Sequence, residues 1–337
     1  MVFGIYPGGI AGTDTGLTTG RPDDPLLIKQ ALARLHPQDR NFIVRGYIHY
    51  NGSNETADEA PGKVEQYIIN DHTLDLVVCY RADELNEATW ISTIKKIIHR
   101  YGEKLDSIQI TEEPNLRNVY AGDGHFKDIE RALFIGAIAA KEELLQLNLT
   151  AKVGFNAAVS FDPADKFWKL IGSESFTPFR DVIDYIGLDF FPDVFRPVAA
   201  DGEPNDLQQS VINVLKYFRH EKLEKNNIPS TIPIHITENG WPTGENRTYE
   251  KQAEVLEKII RSIYALSNEL NIQQYELFSL RDSDSGNQNI FYQFGLLKDD
   301  YTPKPAFYAF QKLIKECNNA KYGSRANKAS AADHSWG

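Results

Sequence analysis

The sequence predicts an α/β fold, a (β/α)8 TIM barrel in a single domain. Eight short strand-like runs alternate in order with helical ones. The 337 residues are a normal length for such a barrel with modest insertions. No Gly-x-Gly-x-x-Gly or Walker A motif follows the first strand, which counts against a doubly wound open sheet, the other fold that alternation allows. The barrel is expected over residues 1–317. The small polar remainder, residues 318–337, reads as a disordered tail.

The elements follow in order. Residues 2–7 form a short strand running into Gly8-Gly9 and a polar loop. Asp23 or Asp24 can cap a helix over residues 25–35, with Pro25 in its first turn. Residues 41–50, NFIVRGYIHY, form the second strand, with a short helix over residues 61–70 after it. The third strand, residues 74–80, is almost continuously apolar, as a strand covered on both faces should be. Asn86 caps a helix to about residue 99, with Trp90, Ile94, Ile97 and Ile98 on one face. The fourth strand spans residues 107–111 and precedes a helix over residues 126–147. The fifth spans 152–159, with a helix at 165–171. The sixth, residues 185–191, precedes a helix over 207–223. Residues 232–237 form the seventh strand, ahead of a long amphipathic helix over 249–270. Residues 274–280 form the eighth, followed by Arg281-Asp282 and a last helix over 305–317.

Composition excludes several function classes. Net charge is −11, from 36 Lys+Arg against 47 Asp+Glu, which argues against a nucleic-acid partner. No apolar run reaches the roughly 18 residues needed to span a membrane, and no signal peptide is visible, because strand-like residues begin at Val2. The chain as written is expected to be cytoplasmic, with a mature secreted domain as the alternative. The Asn-X-Ser/Thr triplets at Asn51, Asn54, Asn148 and Asn246 do not decide between them. Cys79 and Cys317 lie in no metal-ligand spacing and read as reduced structural thiols. No His/Asp/Glu group shows metal spacing either, so neither metal nor cofactor is expected, and the protein is expected to be a monomer.

Chemistry concentrates in two stretches. Residues 235–244, HITENGWPTG, end a strand at a carboxylate, Glu238, with Asn-Gly turning the chain. Residues 107–115, SIQITEEPN, repeat the design with Glu112 and Glu113 before Pro114. Barrel active sites form at the carboxyl ends of the strands, and strands four and seven lie nearly across the mouth. Two glutamates delivered there are what a two-carboxylate hydrolase needs. The other strand ends offer Tyr47 and His49 with Arg45 deeper, then Arg81, Asn156, Asp189, and Arg281 with Asp282. A mid-strand arginine inside a barrel needs an anionic partner. Asn156, Asp189 and His49 stand evenly between ligand contact and internal hydrogen bonding, and Arg281 and Asp282 can pair with each other.

ITEEPN and ITENGW resemble the two catalytic signatures of the retaining β-glycosidases of clan A, the 4/7 superfamily. VRG on strand two resembles that clan's arginine beside the nucleophile. The run from Phe278 through Phe294-Gly295-Leu296 to Thr302-Pro303-Lys304-Pro305-Ala306 resembles its closing segment. The similarity spans the barrel in order, and no single family fits throughout. The resemblance implies that Glu113 is the general acid/base and Glu238 the nucleophile, with Arg45 lowering the pKa of Glu238 and a nearby anion raising that of Glu113. The substrate would be a β-linked oligo- or polysaccharide or glycoside.

Three departures stand out. Glu112 replaces the clan's asparagine, which binds a sugar hydroxyl; its charge would help keep Glu113 protonated, or mark an altered or lost activity. A hydroxyl aimed at the nucleophile is not evident near strand six. The strand-eight tryptophan is absent and Arg281-Asp282 stand in its place, implying a sugar floor of hydrogen bonds or an ion pair. Trp241 is left either as a stacking surface or as packing under the seventh loop. The rival readings are a catalytically silent carbohydrate-binding barrel and a barrel lyase or aldolase, although the latter usually wants a lysine or metal ligands at the strand ends.

Overall fold

The computed structural model describes residues 1–13, 16–35, 41–53, 58–69, 71–117, 122–162, 165–195 and 206–332, with side chains of the last helix as far as residue 319. Eight parallel strands form the barrel: β1 Val2–Ile5, β2 Phe42–Tyr50, β3 His72–Tyr80, β4 Leu105–Ile110, β5 Lys152–Ala158, β6 Tyr185–Asp189, β7 Ile234–Asn239 and β8 Ile272–Leu277. Each pairs with the next, and β1 pairs with both β2 and β8, which closes the sheet. Because β1 is short, the upper edge of β2 is covered by a small antiparallel strand, Asp58–Ala60, opposite Tyr47 to His49. Closure and this cover leave the upper half of β2 without an unpaired edge.

The helices are α1 Pro25–Leu35, α2 Glu87–Tyr101, α3 Ile129–Gln146, α4 Lys166–Ile171, α5 Thr177–Arg180, α6 Leu207–Tyr217, α7 Tyr249–Leu266 and α8 Pro305–Ala332. Several of them start where a side chain satisfies free backbone N–H groups. Asp24, not Asp23, caps α1, its Oδ1 accepting from the N–H groups of Leu26 and Leu27 at 2.9 and 3.2 Å. Asn86 caps α2 as expected, accepting from Thr89 N–H at 3.0 Å. Two expectations need correction. The connection between β2 and β3 carries only a 3-10 turn, Val64–Tyr67, where a helix was expected over residues 61–70. Lys63 at its start has φ 55°, a left-handed conformation that an α-helix cannot run through, and Gly62 ahead of it disfavours helix; Asn70 lies outside the described residues. The last helix does not end at residue 317. It runs on to Ala332 through a segment rich in alanine and lysine, which favour helix. Residues 333–337, the end of the expected disordered tail, lie outside the described residues.

Apolar side chains pack between the sheet and the helices, as in Val44, Leu76, Val78 and Ile108 against Trp90, Ile94 and Leu133. The inside of the barrel is different. Arg45, Asp75, Ser107, Gln109, Asn156, His235, Gln274 and Glu276 are all buried, where barrels of this type usually hold branched apolar residues. Glycines make room for them: a Cβ on Gly4 of β1 would come within 2.9 Å of the Glu276 side chain. Cys79 and Cys317 are buried free thiols. Among the described residues, no helix is long and apolar enough to cross a membrane.

His235, on β7, lies flat against Tyr185 with ring centroids 4.1 Å apart, and neither ring nitrogen has a hydrogen-bond partner. Burial first, then the positive charges of Lys152 and Arg45, hold its pKa well below the usual histidine value. The folded protein therefore keeps His235 neutral while the unfolded chain takes up a proton below about pH 6.5. Stability should fall as the pH drops below that value, with His235 contributing up to about 1.4 kcal/mol per pH unit. Urea unfolding between pH 7 and 5 should show a flatter decline in His235→Phe, and equal slopes would contradict the assignment.

Candidate active site

The site is built around Arg45, whose side chain points into the barrel from the middle of β2 and is wholly buried. A buried guanidinium is stable only with its donors and charge answered. Nη1 donates to Asp75 at 2.5 Å and lies 3.6 Å from Glu276 Oε2. Nη2 donates to Gln109 Oε1 at 3.0 Å and to Glu112 Oε2 at 3.4 Å. Nε donates to the Tyr47 hydroxyl oxygen at 2.8 Å. The register sets this up, since Arg45 lies opposite Asp75 across β2 and β3.

At the end of β4 the chain turns sharply, with Thr111 at φ 66° and Glu113 at φ 42°. Asp123 fixes the turn, its Oδ2 accepting from the N–H groups of Glu112 at 2.8 Å and Tyr80 at 2.7 Å. The two glutamates consequently point differently. Glu112 turns down, where its Oε2 also accepts from Gln109 Nε2 at 2.7 Å. Glu113 stays partly exposed, and its backbone N–H donates to Asn156 Oδ1 at 2.7 Å. Asn156 Nδ2 then donates to Asp189, whose other oxygen accepts from Thr237 Oγ1 at 2.6 Å. Gly187 permits this convergence, because a Cβ there would sit 2.7 Å from both Asn156 and Thr237.

Glu238 enters from β7. Its Oε1 accepts a short hydrogen bond from the Tyr47 hydroxyl, and the neighbouring Glu112 carboxyl works against its ionisation. Four carboxyls, of Glu112, Glu113, Asp189 and Glu238, thus gather around one arginine already shared with Asp75 and Glu276. Burial pushes the pKa of Glu113 well up, reinforced by Glu112, Glu238 and Asp123. Asp189 is raised in the same way, by burial and then by Glu112, Glu238 and Glu113. Glu238 is raised to about 8 by burial and then by Glu112, against the opposing pull of Arg45 and the Tyr47 hydroxyl. The expectation for Arg45 is corrected here. Its charge does draw the Glu238 pKa down, without direct contact, and the Tyr47 hydrogen bond adds to that pull, but burial and Glu112 outweigh both and the net shift is upward.

Other expected site residues lie elsewhere. His49 faces the mouth above Tyr47, and burial with nearby Arg81 lowers its pKa to about 3. Arg281 and Asp282 do not pair with each other. Arg281 Nη2 meets Asp23 at 2.6 Å, and Asp282 meets Lys304 at 2.8 Å. Both pairs tie the eighth loop to its neighbours, so neither residue forms a sugar floor. The aromatic ring at the end of β8 is Phe278, stacked on Tyr6 with centroids 5.1 Å apart and planes 6° from parallel. Trp241 is 3% exposed, has Arg247 over its ring at 4.3 Å and donates from Nε1 to Asp193 at 3.3 Å. It packs under the seventh loop and offers no open face. The residue underrated from sequence is Tyr47, which supplies from strand two the hydroxyl sought near strand six.

One oxygen each from Glu112, Glu113 and Asp189 lies within 4.8 Å of the others, a set of hard donors that strand ends, not sequence spacing, bring together. Asp189 and Glu112 already spend oxygens on Asn156, Thr237, Gln109 and Arg45, so the set reads as part of the carboxylate network rather than a cation cage. A separate depression of about 370 Å³ lies at the amino ends of the strands, lined by Leu144, Leu145, Leu149 and Pro233. Its charged groups are paired, Lys141 with Asp184 and Lys152 with Asp106, and it lies at the opposite end from the carboxylates.

No protein-family model and no curated protein matches the chain. Solved structures do. A family 39 glycoside hydrolase from the gut symbiont Bacteroides cellulosilyticus WH2 is similar with a TM-score of 0.60 at 14% identity, over 93% of this chain and 63% of that one. This chain therefore spans less than two thirds of that protein. A β-glucosidase from Thermotoga maritima in complex with deoxynojirimycin gives 0.57 at 13% identity, over 86% and 84% of the two chains. An apo β-glucosidase, 1317, gives 0.58 at 13% identity, over 86% and 87%. The fold is thus the closed eight-stranded barrel shared with these β-glycosidases.

The carboxyls of Glu113, Asp189 and Glu238 are held above their ordinary values, so their contribution to stability is complete only below about pH 4. It is lost as the pH rises through the raised values, about 8 for Glu238. Glu112→Gln removes one charge and keeps an acceptor for Arg45. The variant should lose less stability than the parent between pH 6 and 9, by on the order of 1 kcal/mol in urea titrations. Parallel losses would mean that Glu112 does not repel its neighbours.

Proposed function

We propose that the chain is a metal-free retaining β-glycoside hydrolase, with Glu238 as nucleophile and Glu113 as general acid/base. The observation that carries this is the contrast between the two carboxyls. Glu238 is fixed by the Tyr47 hydroxyl, itself oriented by Arg45. Glu113, on the end of β4, is partly exposed like Glu238 and is likewise pushed toward its protonated form by burial and surrounding anions, whereas the Tyr47 hydroxyl opposes that push at Glu238. A group that must give a proton to a leaving oxygen needs that environment, and a group that must attack carbon needs a fixed direction. The similarity to solved β-glycosidases supports the same reading.

In the first step Glu113 protonates the glycosidic oxygen while an ionised Glu238 oxygen attacks the anomeric carbon. The bond to the aglycone breaks and a glycosyl ester forms. In the second step Glu113, now a carboxylate, takes a proton from water, which attacks the same carbon and releases Glu238. Two displacements retain the β configuration. Tyr47 holds Glu238 in line throughout, and Glu112 can accept from a hydroxyl of the bound sugar. The raised pKa of Glu238, pushed up by burial and by Glu112, also favours a second reading, a silent carbohydrate-binding barrel in which the would-be nucleophile is kept protonated.

Hydrolysis of a panel of aryl β-glycosides separates the two readings. Glu238→Ala should abolish turnover, and azide should restore it with an α-glycosyl azide as product, since a small anion can fill the vacated position. Glu113→Ala should spare substrates with good leaving groups, and each change should cost several kcal/mol of transition-state stabilisation on ordinary ones. Proton NMR of the first-formed sugar should show the β-anomer. The α-anomer would make Glu238 a base acting through water, and binding without turnover in the parent would favour the silent barrel.

A further inference from the structure

A strip of phenylalanines leads from the carboxylates to the surface. It begins at Phe278, which stacks on Tyr6; Tyr6 in turn meets Tyr47 edge-on at 5.3 Å, and Tyr47 is the residue that holds Glu238. From Phe278 the rings continue to Phe294 at 5.7 Å and Phe191 at 6.4 Å. Phe191 meets Phe195 at 5.7 Å, and Phe195 stacks on Phe291 at 5.7 Å and 27°. Phe294 is buried and serves as the base of the strip. Phe278, Phe191 and Phe291 are partly exposed, and Phe195 is 59% exposed.

Rings left in water forgo the free energy that burial would return, and a contiguous apolar patch next to a reactive site marks a binding surface. We infer that this strip binds the aglycone of the substrate, and that the aglycone is apolar, an aryl or long alkyl group rather than a second sugar. The strip starts beside the proposed site, at Phe278 against Tyr6 and Tyr47, and runs outward from it, and a leaving group has to lie outward of the sugar that it leaves. The chemistry of the strip gives its class. Sugar-binding platforms need polar groups beside the ring to answer hydroxyls, and all the exposed members here are phenylalanines with no hydroxyl or N–H. Among the described residues beside the strip, Asp193 and Arg247 are turned to Trp241: Asp193 accepts from its Nε1 and Arg247 covers its ring.

This inference rests on the glycosidase reading for its orientation, so its test uses binding rather than turnover. Non-hydrolysable thioglycosides would be titrated calorimetrically in pairs, 1-naphthyl against methyl, for β-D-glucose, β-D-glucuronic acid and β-D-xylose. At least one naphthyl compound should bind about tenfold more tightly than its methyl partner, and Phe195→Ala should remove about fivefold of that preference. Thermal melting of the variant checks that its fold is intact. No naphthyl preference in any pair, or one that Phe195→Ala leaves unchanged, would overturn the inference. A naphthyl preference in a protein that hydrolyses none of the corresponding O-glycosides would sink the hydrolase reading and leave the apolar subsite standing.

Discussion

The guanidinium of Arg45 is the constraint on which the site depends. It is a permanent charge in the middle of a closed barrel, with Asp75 and Glu276 around Nη1, Gln109 and Glu112 on Nη2 and Tyr47 on Nε. Removing one partner from such a buried group typically costs about 3–5 kcal/mol, because the remaining charge is left unanswered. The polar barrel interior follows from this. Strands β2, β3, β4 and β8 must present acceptors inward, and so cannot present the branched apolar residues that fill most barrels.

The same charge orders the mouth. Arg45 does not touch Glu238; it orients the Tyr47 hydroxyl, which does. Its direct partner at this level is Glu112, whose charge in turn raises the pKa of Glu238. One cation among so many carboxyls leaves the upper ones in deficit, and burial makes that deficit larger. Protons make up the difference, which is why Glu113, Asp189 and Glu238 all titrate above their ordinary values. In the proposed mechanism this deficit suits the acid, Glu113. Glu238 must lose its share when substrate binds, and the Tyr47–Arg45 arm lowers that cost.

The strands were legible because strand periodicity and end motifs are local properties. So were the positions of Glu113 and Glu238, since a carboxylate at a strand end reaches a barrel mouth wherever the helices lie. What was not legible depended on partners far apart in sequence. Arg281 and Asp282 are adjacent, which suggested a pair, yet their partners are Asp23 and Lys304. Trp241 closely follows Glu238 in sequence, but its orientation is set by Arg247 and Asp193. Tyr47 was visible as a strand-two residue, and only the closed barrel brings its hydroxyl to Glu238. The short turn at Val64–Tyr67 shows a local rule underweighted, since Gly62 is a poor helix former and Lys63 takes a left-handed conformation beside it.

The central claim is that the carboxyl fixed by Tyr47 is the one that bonds to the sugar. Incubation with activated 2-deoxy-2-fluoro β-glycosides, which form the glycosyl ester but turn it over slowly, followed by peptide mass spectrometry, tests it directly. The account predicts a single labelled peptide carrying the sugar on Glu238, with labelling slowed in Tyr47→Phe. A label on Glu112 or Glu113, from a protein that hydrolyses the parent glycoside, would contradict it.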